Sequence, residues 1–220
     1  MALCNREVWE NIYKSRGGYE WYYPLVAAMI DEFDVIADGC PVLLHCGCGA
    51  FPISETPKYK VVLNFDFAFT VMTEIKIKNI ICSNDIVVEV EQVDQGLDGY
   101  CVSHPIPGNA CQLLVADARK LPFIDSSIDV ILEKGLFDSM TCDTKSQIIN
   151  AAAILEEYHR VLKPIGNVVI LSIFEPCGDQ KDMLGLLSHS GFTVRCRELH
   201  HPPAEIPSQQ FCFVYVCTKQ

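Results

Sequence analysis

Short runs of apolar residues, separated by longer mixed segments, set the pattern of the chain. Runs that are apolar at nearly every position are typical of strands in a parallel sheet that is covered on both faces. The two runs nearest the carboxyl terminus instead alternate, which predicts an antiparallel pair at one edge of the sheet. The predicted strands are residues 42–49, 61–65, 112–116, 128–132, 168–172, 192–198 and 211–217.

Apolar residues at helical spacing lie between these runs. Asn5 can cap a short first helix in which Trp9 and Tyr13 fall one turn apart. Pro24 suits the first position of a second helix, which ends near Gly39. Strands that alternate with helices predict an α/β fold. Further helices are predicted over residues 67–78, 146–162 and 181–188.

The length of the chain sets the number of domains. Its 220 residues can bury one sizeable core, so residues 1–220 are predicted to form a single domain. Residues 1–38 are predicted to form an aromatic and helical flap at its amino terminus. Residues 84–110 form an insertion that holds several acids and no lysine or arginine. The insertion is either a solvated surface loop or an acidic dock for a basic substrate.

Net charge and cysteine usage limit the partners and the compartment. The formal net charge is -11, so neither a nucleic acid nor an anionic membrane would be attracted at long range, and a basic protein surface is favoured. No apolar run approaches the ~20 residues that cross a bilayer. The 12 cysteines include no Cys-x-x-Cys pair, and residues 1–13 lack the apolar core of a secretory leader. These features predict free thiols and a cytoplasmic location.

His45, Cys46 and Cys48 are the residues that most suggest a metal site. Adjacent residues of a strand point to opposite faces of the sheet, and no second pair of ligands lies at zinc spacing. We therefore expect no bound metal.

Candidate chemistry begins where the first strand ends in two glycines, Gly47 and Gly49. Without a Cβ, this backbone can approach a ligand closely at the carboxyl edge of the sheet. The next two strands end in Asp66 and Asp117. An acid at the tip of the second strand is placed to accept hydrogen bonds from ribose hydroxyls, which predicts a nucleoside-containing cofactor. The alternative for both acids is a strand-end turn or a helix cap.

Two later segments are more specific than the glycines. Residues 117–131 read Asp-Ala-Arg-Lys-Leu-Pro-Phe-Ile-Asp-Ser-Ser-Ile-Asp-Val-Ile, and residues 157–166 read Glu-Tyr-His-Arg-Val-Leu-Lys-Pro-Ile-Gly. With the glycine-ended strand, they resemble the class I S-adenosylmethionine-dependent methyltransferases over most of the chain. The resemblance implies a Rossmann-like seven-stranded, mostly parallel sheet with helices on both faces and an antiparallel carboxyl-terminal strand. It also implies S-adenosylmethionine as cofactor and S-adenosylhomocysteine as product.

A narrower resemblance concerns residues 133–138, which read Glu-Lys-Gly-Leu-Phe-Asp. They are similar to the Asp/Glu-Lys-Gly-x-x-Asp signature of a branch of protein-lysine methyltransferases that includes enzymes acting on elongation factor 1-alpha and on citrate synthase. The resemblance implies that Glu133, Lys134 and Asp138 are catalytic, with the acids and the aromatic flap steering a lysine ammonium. Lys134 is a poor general base, and we expect its ammonium to pair with Glu133 or Asp138. The alternative for Glu133 and Lys134 is a surface ion pair at a strand end.

Strand-end geometry and the resemblance together assign the cofactor contacts. The glycine backbone would approach the methionine part of the cofactor, Asp66 would accept from both ribose hydroxyls, and Asp117 would accept from the adenine amino group. Phe67 and Leu121 would cover the adenine ring. The predicted set is Trp9, Tyr13, Tyr22, Gly47, Cys48, Gly49, Asp66, Phe67, Asp117, Ala118, Leu121 and Glu133.

Several positions depart from the family pattern near the methionine end of the pocket. His45 stands where many relatives carry an acid, and Ala50 with Phe51 replaces a small polar pair. Ile12 stands where the lysine-methylating branch often has an arginine. The leading prediction is a methyltransferase that acts on a protein lysine. The alternatives are a small-molecule methyltransferase and a degenerate methyltransferase fold that serves as a binding protein.

Overall fold

An eight-stranded sheet is the centre of the fold. The computed structural model describes residues 5–16, 41–53, 59, 61–73, 100–106, 109–141, 147–176, 183–200 and 211–220. The strands are β1 (Val42–Cys46), β2 (Val61–Asp66), β3 (Tyr100–Ile106), β4 (Asn109–Val115), β5 (Ile128–Lys134), β6 (Leu162–Ser172), β7 (Phe192–His200) and β8 (Phe211–Lys219). Their order across the sheet is β3-β4-β2-β1-β5-β6-β8-β7.

The direction of the strands confirms the predicted fold class. From β4 through β2, β1 and β5 to β6, each strand is parallel to its neighbour. At the carboxyl terminus, β8 lies antiparallel to both β6 and β7, as the alternating pattern predicts. The prediction of a mostly parallel sheet with an antiparallel final strand is therefore confirmed.

The sheet has one strand more than the seven expected. The additional strand, β3, pairs antiparallel with β4 from Tyr100↔Val115 to Ile106↔Asn109. It comes from the end of the acidic insertion, where Pro107 and Gly108 separate the two strands in the sequence. The sequence is also compatible with a strand over residues 86–93, which lie outside the described residues.

Helices cover both faces of the sheet. The four named helices are α1 (Arg6–Arg16), α2 (Leu136–Thr141), α3 (Gln147–Val161) and α4 (Met183–His189), and residues 69–73 are also helical. Asn5 caps α1 as predicted, because the Glu7 N–H donates to Asn5 Oδ1 at 2.8 Å. The predicted helix that follows Pro24 lies outside the described residues. In the part of the chain that the structure describes, no helix has the length and apolar character of a membrane span.

The core has two halves, one on each face. Ile154 and Leu155 of α3 are fully buried on the face that also carries α2 and α4. On the opposite face, Val71 and Met72 pack with Tyr13 of α1 against β4. Burial on both faces explains why the inner strands are apolar at nearly every position.

One exposed residue at the start of β6 is strained. The pairing of β5 with β6 shifts register here, and Ile165 has a φ of 59° although it is 79% exposed. A β-branched side chain is unfavourable in the left-handed region because its Cβ approaches the following carbonyl. The packing of Ile165 offsets little of this cost, since most of its side chain is in water.

Replacing this residue with glycine is expected to stabilise the protein. Relief of the strain raises the free energy of unfolding by about 1–2 kcal/mol. The greater backbone entropy of glycine in the unfolded chain lowers it by about 0.5–1 kcal/mol. Ile165→Gly should therefore raise the free energy of unfolding, measured by urea denaturation. Ile124 is equally exposed, at 80%, without a positive φ, so Ile124→Gly is the matched control and should lower it. Equal effects of the two substitutions would contradict the strain.

Candidate active site

A tight glycine turn follows β1. Gly47 and Gly49 have φ values of 61° and 57°, which residues with a Cβ rarely adopt. At Gly47 a Cβ would also lie 2.9 Å from the Cβ of Leu136. The Cys48 N–H donates to the Phe65 carbonyl at 3.0 Å, so the turn folds onto the end of β2. The conformation of the turn therefore requires glycine at both positions, which is a reason separate from the close approach of a ligand that the sequence suggests.

Asp66 lies at the centre of this arrangement. Its Oδ2 accepts from the Gly49 N–H at 3.1 Å, and its Oδ1 accepts from the Ala68 N–H at 2.9 Å. The side chain is only 5% exposed. Burial raises the pKa of Asp66 to about 6, although the two amide donors oppose the shift. Since each carboxylate oxygen carries two lone pairs, Asp66 both closes the strand-end turn and retains capacity for further donors.

Asp117 lies at the strand end beside Asp66, and its carboxylate is held by Arg119, a residue for which the sequence predicted no role. The guanidinium of Arg119 donates to Asp117 Oδ2 at 2.6 Å, and the Arg119 N–H donates to Oδ1 at 2.9 Å. Arg119 also donates to Asn150 Oδ1 at 3.2 Å. Burial raises the pKa of Asp117, but the hydrogen bonds and charge of Arg119 outweigh it and hold the pKa below its usual value. Much of the acceptor capacity predicted for adenine is therefore engaged within the chain.

The loop after Asp117 is fastened to α3 by two residues of the 157–166 motif. Glu157 Oε2 accepts from the Leu121 N–H at 2.6 Å. Arg160 donates to the carbonyls of Leu121 at 3.0 Å and of Phe123 at 2.7 Å. Arg160 also forms ion pairs with Glu157 and Asp125. The two motifs that carry the family resemblance are thus parts of one contact.

Glu133 is a buried cap of α2 and not part of a surface ion pair. It is fully buried, and its Oε2 accepts from the Phe137 N–H at 2.8 Å. Its Oε1 has no hydrogen-bond partner among the described residues. Burial, followed by the nearby charge of Asp138, raises the pKa of Glu133 well above its usual value. Its surroundings therefore favour the protonated form of Glu133.

The upward shift of the Glu133 pKa gives a test of its role. Glu133→Gln is expected to change the free energy of unfolding by less than about 1 kcal/mol, because the amide has the size of a neutral acid and keeps an acceptor for α2. Glu133→Ala is expected to cost about 2–3 kcal/mol through the lost cap and the cavity. Urea denaturation at neutral pH measures both values. A large loss in the glutamine variant would show that Glu133 is ionised in the folded protein.

Lys134 and Asp138 serve different parts of the site. Lys134 follows Glu133 on the strand and so points to the opposite face. We expected its ammonium to pair with Glu133 or Asp138; among the described residues, its Nζ donates to the Cys48 carbonyl at 3.3 Å, on the glycine turn. Asp138 accepts from the hydroxyl of Ser172 and from the Ile173 N–H at 3.0 Å, which ties α2 to the end of β6.

His45 forms an anchor below the glycine turn. Its Nδ1 lies 3.0 Å from Asn64 Oδ1, which also accepts from the Ile53 N–H at 2.8 Å. Since that oxygen is an acceptor, Nδ1 of His45 carries the proton. Burial, with the charge of Lys134, lowers the pKa of His45 to about 3, so the ring is neutral. Asn64, a polar residue inside an apolar strand, was the available signal for this contact.

The aromatic residues of α1 lie against the same turn. The ring centroids of Trp9 and Tyr13 are 5.6 Å apart, and a Cβ on Gly49 would lie 3.3 Å from Tyr13 Oη. Tyr22 falls outside the described residues. The other predicted contacts are at least partly buried near the strand ends: Cys48, Phe67, Ala118 and Leu121.

Comparisons with known proteins agree with this architecture. A model of the methyltransferase domain family matches residues 82–170, which include β3, β4 and β5. Over 221 residues the chain is 24% identical to the eEF1A lysine and N-terminal methyltransferase of Xenopus laevis. That alignment covers 97% of this chain and 28% of the relative, so the chain spans little more than a quarter of that protein.

Solved structures share the fold at low sequence identity. A SAM-dependent methyltransferase from Methanosarcina mazei is 17% identical, with a TM-score of 0.57 over 90% of this chain and 98% of that one. Magnesium protoporphyrin IX methyltransferase from Synechocystis PCC 6803, solved with bound SAM, is 11% identical, with a TM-score of 0.60 over 98% of this chain and 97% of that one. The sheet order and these neighbours show the fold of the S-adenosylmethionine-dependent methyltransferases, and the methyltransferase domain model matches the chain over residues 82–170.

Proposed function

We propose that the chain transfers a methyl group from S-adenosylmethionine to a lysine side chain of a protein. The observation that carries the proposal is the hydrogen bond that joins the Gly49 N–H to the Asp66 carboxylate at 3.1 Å. It brings the bare glycine backbone and the acid for the ribose to one place at the carboxyl edge of the sheet, where α/β proteins bind nucleotides.

The residues present fit the cofactor. Apart from the adjoining residues, a Cβ on Gly49 would lie within 4 Å of one atom of the described residues, Tyr13 Oη at 3.3 Å, so a side chain here would crowd the space between the turn and Tyr13. Asp66 has lone pairs for the ribose hydroxyls, and Asp117 with Leu121 lies at the next strand end for the adenine. Gly47, Cys48 and Gly49 would hold the methionine part.

The protein has little covalent chemistry to perform. The sulfonium of the cofactor supplies an activated methyl group, so the chain must hold a neutral amine in line and exclude water. Burial favours the protonated form of Glu133, and Asp138 is bound to Ser172, so both are proposed to shape the amine pocket while the proton of the lysine leaves to water. Lys134 is proposed to fix the glycine turn through the Cys48 carbonyl.

Exposed apolar residues support a protein substrate. Phe51, Phe69 and Ile173 are 41%, 45% and 46% exposed, and they follow the ends of β1, β2 and β6 at the same edge of the sheet. Such a rim can pack against the residues that flank a target lysine. The net charge of -11 favours a basic partner, and the Xenopus relative is itself a protein methyltransferase by name.

A second candidate is a small-molecule methyltransferase. The Synechocystis neighbour is named for a small-molecule substrate, and the 117–131 motif fits such enzymes equally well. The third, a binding protein with a degenerate site, is favoured by the departures at Ile12, His45, Ala50 and Phe51.

Two experiments separate these functions. Isothermal titration with S-adenosylmethionine tests for the cofactor site, and the absence of heat at millimolar cofactor would leave only the binding protein. Cell lysate is then incubated with the purified chain and methyl-labelled cofactor. A labelled protein band that disappears with Asp66→Ala supports protein methylation. Label confined to the small-molecule fraction would support the second candidate instead.

A further inference from the structure

A carboxylate of α1 fastens that helix to the helical segment after Asp66. Glu10 Oε1 accepts from the Phe69 N–H at 2.6 Å, and Oε2 accepts from the Thr70 N–H at 3.0 Å and from the Thr70 hydroxyl. Glu10 lies 59 and 60 residues from these partners in the sequence, and its side chain is 17% exposed. No sequence motif drew attention to Glu10.

The contact is a helix cap supplied from a distant element. The first amide groups of a helix have no partner within it, and a residue just before the helix usually supplies one. Here the donors at Phe69 and Thr70 are satisfied by an ionised carboxylate, and such charge-assisted bonds are stronger than neutral ones. Burial raises the pKa of Glu10, but the bonds from Thr70 and Phe69 and the charge of Arg6 outweigh it and lower the pKa. The cap is therefore charged at neutral pH.

The two helices joined by this cap flank the glycine turn. Tyr13, one turn after Glu10, is 7% exposed and lies against Gly49. Val71 and Met72, which directly follow the capped amides, pack with Tyr13 in the same apolar cluster. The capped end of the helical segment also follows directly from Asp66, whose Oδ1 accepts from the Ala68 N–H. The hydrogen bonds of Glu10 therefore hold two parts of the site in place, Tyr13 over the turn and the backbone that follows Asp66.

We infer that Glu10 is a positioning residue for the cofactor site. By capping residues 69 and 70 it holds α1 over the glycine turn. Cofactor binding and this position of α1 then stabilise each other. The inference rests on the proposed function, because it assigns the cofactor to Gly49 and Asp66. Glu10 itself does not contact the cofactor in this scheme. It acts through Tyr13 and through the backbone that follows Asp66.

The test compares two glutamates of the same helix. Glu10→Gln removes the charge and faces one amide donor with an NH₂ group, while Glu7→Gln makes the same change at an exposed position. Binding of S-adenosylmethionine is measured by titration well below the unfolding transition. The dissociation constant is expected to rise about tenfold or more for Glu10→Gln and by less than about twofold for Glu7→Gln. Equal constants for Glu10→Gln and the unmodified protein would overturn the inference.

Hydrogen exchange without cofactor separates failure of this inference from failure of the proposed function. In Glu10→Gln, faster exchange confined to residues 6–16 and 69–73 is expected, even if the unmodified protein binds no cofactor. Unchanged exchange in those segments would show that Glu10 does not hold α1 to residues 69–73. Thr70→Val, which removes only the hydroxyl donor, serves if Glu10→Gln does not fold, and it should shift exchange and affinity in the same direction by a smaller factor.

Discussion

Asp66→Ala is expected to weaken S-adenosylmethionine binding at least about 100-fold, because two hydrogen bonds to an ionised acceptor contribute about 1.5–3 kcal/mol each. Titration calorimetry of the purified chain measures the loss. Asp117→Ala is the matched control at the next strand end, and its effect should be smaller because Arg119 already engages that carboxylate. Equal losses at the two positions, or none at Asp66, would contradict the proposed ribose site.

The same residue should make both affinity and stability depend on pH. Burial raises the pKa of Asp66 from its ordinary value of 3.8 to about 6. Between these values the folded protein keeps a proton that the unfolded chain has lost, so this group's contribution to stability is full below 3.8 and falls as pH rises through about 6. The loss is on the order of 3 kcal/mol. Cofactor affinity should move the other way and fall as the pH drops below about 6, since protonation removes an acceptor.

Asp66→Asn separates this titration from that of other groups. The amide does not ionise, so the free energy of unfolding of the variant, minus that of the unmodified protein, should increase between about pH 4 and pH 7. One of the two amide contacts to Gly49 and Ala68 is lost at every pH, which shifts the whole difference without changing its slope. Urea denaturation at a series of pH values gives the curve. A flat difference would show that Asp66 titrates normally.

Arg160→Ala is expected to lower the free energy of unfolding by about 2–4 kcal/mol, because it leaves the carbonyls of Leu121 and Phe123 without their donors. For a chain of this size that corresponds to about 5–15 °C in Tm. The loop that carries Asp117 should also loosen, so cofactor affinity is expected to fall about tenfold or more. Thermal denaturation and titration calorimetry measure the two effects.

Lysine should replace Arg160 poorly, since one ammonium cannot donate in the directions of a guanidinium fork. Arg195→Lys, at an exposed position of β7, is the control and should change the stability by less than about 0.5 kcal/mol. A harmless Arg160→Lys substitution would mean that the charge alone fastens the loop. The expectation is instead that most of the loss seen with alanine remains.

The strands and the strand-end residues were predictable because their signals are local. Near-continuous apolar runs mark the inner strands, and the positive φ values at Gly47 and Gly49 require the residues that the sequence shows. The end of β2 could likewise be read from Asp66. These features depend on a few neighbouring positions, so a single sequence displays them.

The contacts that were missed join residues far apart in the chain. Glu10 caps a helix 59 residues away, and Arg160 binds the carbonyl of Phe123 at a separation of 37 residues. A glutamate or an arginine on a helix is usually a solvated side chain, so residue type alone gave no reason to expect either. Glu133 and Lys134 were placed correctly on a strand end, but their partners depended on which face each side chain takes.

The hairpin strand β3 has a consequence for the solubility of the protein. It hydrogen-bonds along β4 from residue 100 to residue 106, beside the last of the five parallel strands. An open β4 would present a row of unpaired amides and carbonyls, which is a template for pairing with another molecule and for aggregation. With β3 in place the edge of the sheet passes from β4 to β3, so a second molecule that paired with this edge would meet the insertion and not the parallel strands.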